Sequence, residues 1–148
     1  MDLGLFIVDG CINMDFANGD FLGDEGLETA VLISLFSDAK VLADELPAGE
    51  STRRGWWGDL FPDVENDKIG SKLWLSDRGK RTLANLTEME AQATKSLEWM
   101  KLDGLAKDVF VEGEFLDEGI SLAVSITKTD DSENLFKVFW NAQEIKRA

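Results

Sequence analysis

The sequence predicts an α+β fold, in which an antiparallel sheet, made from an N-terminal hairpin and a C-terminal three-strand meander, is packed by two main helices with a long ordered loop between them. Three observations lead there. Short apolar runs of strand period sit at both ends of the 148 residues, two stretches of helical period lie between them, and an aperiodic stretch rich in Gly and Pro separates the helices. A chain of this length can bury roughly 70% of the surface its unfolded form exposes, so residues 1–148 read as one domain that needs no metal or disulfide to fold.

Residues 5–8 and 12–16 flank Asp9-Gly10, whose residues tolerate positive φ and favour the tight turn of a hairpin. A second turn signal follows at Asn18-Gly19. Asp24 is placed to cap a helix in which Leu27, Val31 and Leu35, with Leu32, Ile33 and Phe36, cover most of the circumference; such a helix belongs in the core. Residues 39–70 lose periodicity and collect Pro47, Gly49, Gly55, Gly58 and Pro62. Loops this long in compact domains tend to be functional when ordered, and Trp56, Trp57 and Phe61 supply anchors.

Residues 71–75 read as a short helix. Thr82 caps a longer one that carries Leu83, Leu86, Ala93, Leu97 and Met100 at helical spacings and ends at Asp103-Gly104. Three strand-like runs follow, at 109–114, 120–127 and 135–140. In the second, Leu122, Val124 and Ile126 alternate with Ser121, Ala123 and Ser125, which gives one buried and one wet face. The loops at 115–119 and 128–134 are short enough for antiparallel neighbours. The last run, with Phe136, Val138 and Trp140, is expected at a sheet edge where a partner chain could add a strand.

Composition narrows the function classes. With 29 acidic against 15 basic residues the net charge is −14, so the field of the molecule repels phosphate backbones, and Arg53-Arg54 is too small a patch to reverse that. No nucleic-acid partner is expected. No run approaches the roughly 18 apolar residues of a membrane span, and the first ten residues carry two aspartates where a secretion signal would be basic. The chain therefore reads as made in a cytosol, with no membrane partner. The single Cys11 lies in an alternating apolar stretch, where a buried free thiol is expected.

Histidine is absent, which removes the commonest general base and disfavours serine-triad and papain-type chemistry. Carboxylate pairs remain. Asp59, Asp63, Glu65 and Asp67 beside Trp56 and Trp57 admit a cell-wall glycosidase as an alternative, although a chain with 29 acids places some beside tryptophan by chance. A calcium loop starting at Asp63 fails its template, because Lys68 stands where glycine is needed and Trp74 where a closing glutamate is needed. No glycine-rich phosphate cradle follows a strand. Catalytic, metal-ligating and cofactor-binding residues are accordingly expected to be none.

What remains is RRGWWGDLFPDVENDKIGSKLWL, residues 53–75. Arg and Trp are the types most enriched in binding hot spots, and tryptophans also fill cores; Arg53, Arg54, Trp56, Trp57, Asp59 and Trp74 are the candidate loop anchors and partner-binding residues. An aromatic platform for sugar or peptide is a further alternative.

Four stretches in order, TAVLISLFSD at 29–38, RRGWWGD at 53–59, GSKLWL at 70–75 and AQATKSLEW at 91–99, resemble the small baseplate wedge protein of Mu-like contractile-tailed phages. The resemblance spans nearly the whole chain. Ala39-Lys40, where arginine is expected after the aspartate, and Gly79, between two helices, depart from it. It implies a structural virion protein of the tail baseplate, made in the host cytoplasm. Such a subunit repeats in a hexameric ring, contacts wedge and hub neighbours, and meets the first layer of tail sheath subunits. The resemblance implies neither enzyme nor cofactor.

Overall fold

The computed structural model describes residues 2–8, 11–24, 26–76, 80–140 and 144–147. The N-terminal segment is a ribbon of short antiparallel pairs. β1 (Asp2–Leu3) pairs with β6 (Gly23–Asp24), and between them β2 (Leu5–Val8) pairs with β3 (Cys11–Met14) and β4 (Phe16–Ala17) with β5 (Asp20–Phe21). The predicted hairpin is β2 with β3; its Asp9-Gly10 turn lies outside the described residues, as does Gly79. Asn18 (φ 55°) and Gly19 (φ 83°) make the second turn, both left-handed as a two-residue type I′ connection requires. Contrary to expectation, these pairs do not join the C-terminal sheet. Cys11 is exposed rather than buried.

The first helix, α1 (Glu28–Phe36), is held by Asp24 from a distance. Its carboxylate accepts from the Gly26 and Thr29 amides at 2.7 and 2.6 Å, while the residue that immediately precedes the helix, Leu27, is left-handed and offers no cap. Val31, Leu32 and Leu35 are buried, with Leu27, Ile33 and Phe36 packed partly against the core. The buried Thr29 hydroxyl donates to the Leu3 carbonyl and accepts from the Leu5 amide, which ties the ribbon to this helix.

The sheet is four-stranded and antiparallel, in the order β10-β9-β8-β7. β7 (Ala106–Phe115), β8 (Ile120–Lys128) and β9 (Glu133–Phe139) are the predicted meander, and β10 (Glu144–Arg147) was not foreseen. Register places Val111, Val124 and Phe136 in one row across the sheet and Gly113, Leu122 and Val138 in the next, all toward the helices. α2 (Leu83–Leu97) lies over them, with Leu86, Met89, Ala93 and Leu97 buried and Thr82 accepting from the Asn85 amide at its start. Leu83, expected in that stripe, is exposed at the first helical position. The close approach of α2 depends on Gly113, where a Cβ would stand 2.7 Å from Leu86 Cδ1 and whose amide donates to Glu90 Oε1. After α2 a short α3 (Trp99–Leu102) ends in a glycine C-cap, with Gly104 left-handed and the Leu105 amide bonded to the Met100 carbonyl.

The C-terminal edge reading does not hold. β9 pairs with β8 on one side and with β10 on the other, so it is an inner strand, and Phe136, Val138 and Trp140 are buried in the core. Among the described residues no helix is long and apolar enough to cross a membrane.

Candidate functional site

The long loop is fastened to the end of α1 before it presents anything. Asp38 and Ser71 form a parallel bridge, in which the Ala39 amide donates to the Ser71 carbonyl and the Ser71 amide to the Ser37 carbonyl, both at 2.9 Å. The buried Ser71 hydroxyl donates to the Leu35 carbonyl at 2.7 Å. Gly70, at φ 96°, passes so close that a Cβ would stand 2.5 Å from the Ser37 carbonyl oxygen. The predicted short helix is a single 3-10 turn, Leu73–Ser76, with Leu73 and Trp74 inside.

Each candidate anchor has its own task in this frame. Arg53 exchanges bonds with Val41, its carbonyl accepting from the Val41 amide and its Nε donating to the Val41 carbonyl at 2.6 Å. Arg54 (φ 50°) and Gly55 (φ 98°) are both left-handed and turn the chain back over Lys40. The Arg54 guanidinium lies 4.4 Å from the Trp74 ring centroid and donates to Asp38 at 2.8 Å. Trp74, 6% exposed, donates its indole N–H to the Ala39 carbonyl at 3.0 Å. Trp74 is therefore a core plug, with Arg54 its lid. Asp38, next to the unexpected Ala39-Lys40, has its ionic partner in Arg54.

Trp56 and Trp57 do the opposite. They are 48% and 73% exposed, tilted against each other with centroids 5.5 Å apart, and Trp56 rests on Gly58, where a Cβ would clash with its ring. Trp57 opens the 3-10 turn Trp57–Leu60, which is followed by Phe61, 79% exposed; Leu60 and Val64 are also exposed. Asp59 supports this tip by accepting from the Ile69 amide at 3.1 Å. At the base of the loop Lys72 reaches Glu45, whose carboxyl is held below the usual carboxylate range first by that contact and then by the Leu42 amide.

Sequence reasoning named the arginines and tryptophans but missed Leu60 and Val64. The signal for them is apolar residues interleaved with Pro62, Asp63 and Glu65 at no helical or strand period, a pattern that cannot form a buried face. Between the ribbon, α1 and the loop runs a groove of about 610 Å³, lined by Leu5, Ile33, Trp56 and Trp99 among others, with Asp59, Asp67 and Asp103 also on its wall. Among the described residues no group of three or more His, Cys, Asp or Glu side chains is placed to hold a metal ion.

A family model described as Phage protein GP46 matches residues 27–133. The chain is similar to "Baseplate protein gp46" of Escherichia phage Mu, 42% identical over 115 residues that cover 76% of this chain and 77% of that protein. It is also similar to "Mu-like prophage FluMu protein gp46" of Haemophilus influenzae, 36% identical over 110 residues, 74% of this chain and 73% of that protein. The matches stop short of the nearly full span expected from the motifs, and the family model omits the N-terminal ribbon.

Proposed function

The chain belongs to the GP46 family of Mu-like phage baseplate proteins, and from that premise we propose that it is a wedge subunit of a contractile tail baseplate acting through protein contacts alone. In this reading residues 1–148 form one baseplate domain. It joins wedge and hub neighbours in a hexameric ring and meets the first sheath subunits. One observation carries the proposal. Trp57, Leu60, Phe61 and Val64 project from a loop that is fastened to the core by Ser71, Arg53 and Trp74, so an apolar patch is displayed on a rigid support. Exposed apolar clusters of this kind mark interaction sites, and a preformed loop loses little entropy on binding.

Arg53, Arg54, Asp59 and Trp74 then order the loop, while Trp56 and Trp57 meet the partner. The joint variant Trp57→Ala with Phe61→Ala should fold normally and enter baseplates at least tenfold less well, since buried aromatic anchors are worth about 2 kcal/mol or more each. Normal incorporation and contraction of particles carrying it would refute the interface role. A carboxylate glycosidase has one observation in its favour, that Asp59 and Asp67 share a groove with Trp56. Turnover of purified peptidoglycan that is abolished by Asp59→Asn would favour it.

A further inference from the structure

We infer that the groove between the N-terminal ribbon and the tryptophan loop seats a segment of a different tail protein, one presenting a bulky apolar side chain flanked by lysine or arginine. The inference rests on the baseplate reading and extends it from the loop tip to a second element of the interface. Three parts of the chain build the groove. Leu5 stands on the ribbon side, Trp56 on the loop side, and Ile33 of α1 and Trp99 of α3 lie between them. All are anchored. The ribbon is held by Thr29 through Leu3 and Leu5, the Trp99 indole donates to Ser34 at 3.0 Å, and Asp59 braces the loop through Ile69. At about 610 Å³ the groove falls within the roughly 300–1,000 Å³ of clefts that bury ligands.

Charge selects the occupant. Asp59, Asp67 and Asp103 contribute to the lining against the single cation Lys68. The ribbon beside it is more one-sided still, because residues 1–24 hold five carboxylates, Asp2, Asp9, Asp15, Asp20 and Asp24, and no lysine or arginine. A second copy of this chain, itself at −14, would bring like charge to an acidic seat. An apolar segment with cationic flanks would cover the tryptophans and neutralise the wall, so the complementary partner is a different protein.

The test replaces Trp56 with the photo-crosslinking residue p-benzoylphenylalanine in the full chain within assembled tail particles, with Thr87 on the exposed side of α2 as the control position. The expected crosslink from position 56 joins a peptide of another tail protein that has a bulky apolar residue within three positions of Lys or Arg, and it is absent from position 87. In parallel, Asp67→Lys with Asp103→Lys should keep the melting temperature of the purified chain while its incorporation falls at least tenfold. A crosslink only to a second copy or to a segment without Lys or Arg, or undiminished incorporation of the double variant, overturns the inference. Absence of the wild-type chain from particles would instead sink the baseplate reading itself, so the two failures are distinguishable.

Discussion

Gly70→Ala tests whether the loop is truly fastened to α1. The residue sits at φ 96°, and an added Cβ would meet the Ser37 carbonyl oxygen at 2.5 Å and the Ala39 amide nitrogen at 3.0 Å, both backbone atoms that cannot swing aside. The left-handed backbone alone costs about 1–2 kcal/mol for a residue with a Cβ. Relief of the clash must open the bridge at Asp38 and Ser71, whose two amide bonds are worth roughly 0.5–1.5 kcal/mol each. Together these give about 2–5 kcal/mol, or a melting point lowered by roughly 4–20 °C for a domain of this size. Gly49→Ala is the internal control. It has a similar φ of 88° but nothing within 4 Å of the added carbon, so only the backbone term applies. Thermal unfolding followed by circular dichroism reads both. If Gly70→Ala proves no more destabilising than Gly49→Ala, the bridge does not hold the loop and the reasoning fails.

The tryptophans should divide sharply. Trp74→Ala is expected to cost about 3–5 kcal/mol in denaturant unfolding, whereas Trp57→Ala should stay within about 0.5 kcal/mol, because the first empties a core site and the second trims an exposed ring. The Glu45 carboxyl, lowered in the folded chain by Lys72 and the Leu42 amide, binds fewer protons folded than unfolded. Its contribution is therefore present above the ordinary carboxylate value and lost as the pH falls through the lowered one. The stability gap between wild type and Glu45→Gln, measured in melts at stepped pH, should be open at neutral pH and close in acid. Thr82→Ala should cost about 1 kcal/mol through loss of the bond to the Asn85 amide, measured by the same melts.

The elements with a clean period were readable and those without were not. Leu122, Val124 and Ile126 announced β8 through strict alternation, and its neighbours followed from short loops and their own apolar runs. β10 gave no such signal, because Glu-Ile-Lys-Arg is mostly charged and too short to show alternation. That omission placed Phe136, Val138 and Trp140 on an edge strand, whereas β9 pairs on both sides; the three side chains are buried because they lie on the sheet face that packs against the helices. At the candidate site the residue types were legible and their directions were not. A loop has no period to announce that Trp74 is buried, with its indole N–H on the Ala39 carbonyl and the Arg54 guanidinium over its ring, or that Trp57, which opens a 3-10 turn, is exposed. Both partners of Trp74 lie far from it in sequence, and one of them belongs to the left-handed Arg54-Gly55 reversal, where pattern reading has no reach.

The most direct test is a density map of the assembled tail particle at side-chain resolution. It should show Trp57 and Phe61 packed against a different protein chain while Trp74 stays enclosed under Arg54. Trp57 and Phe61 facing solvent in every copy of the subunit would contradict the assignment of this loop as the contact that builds the subunit into the baseplate.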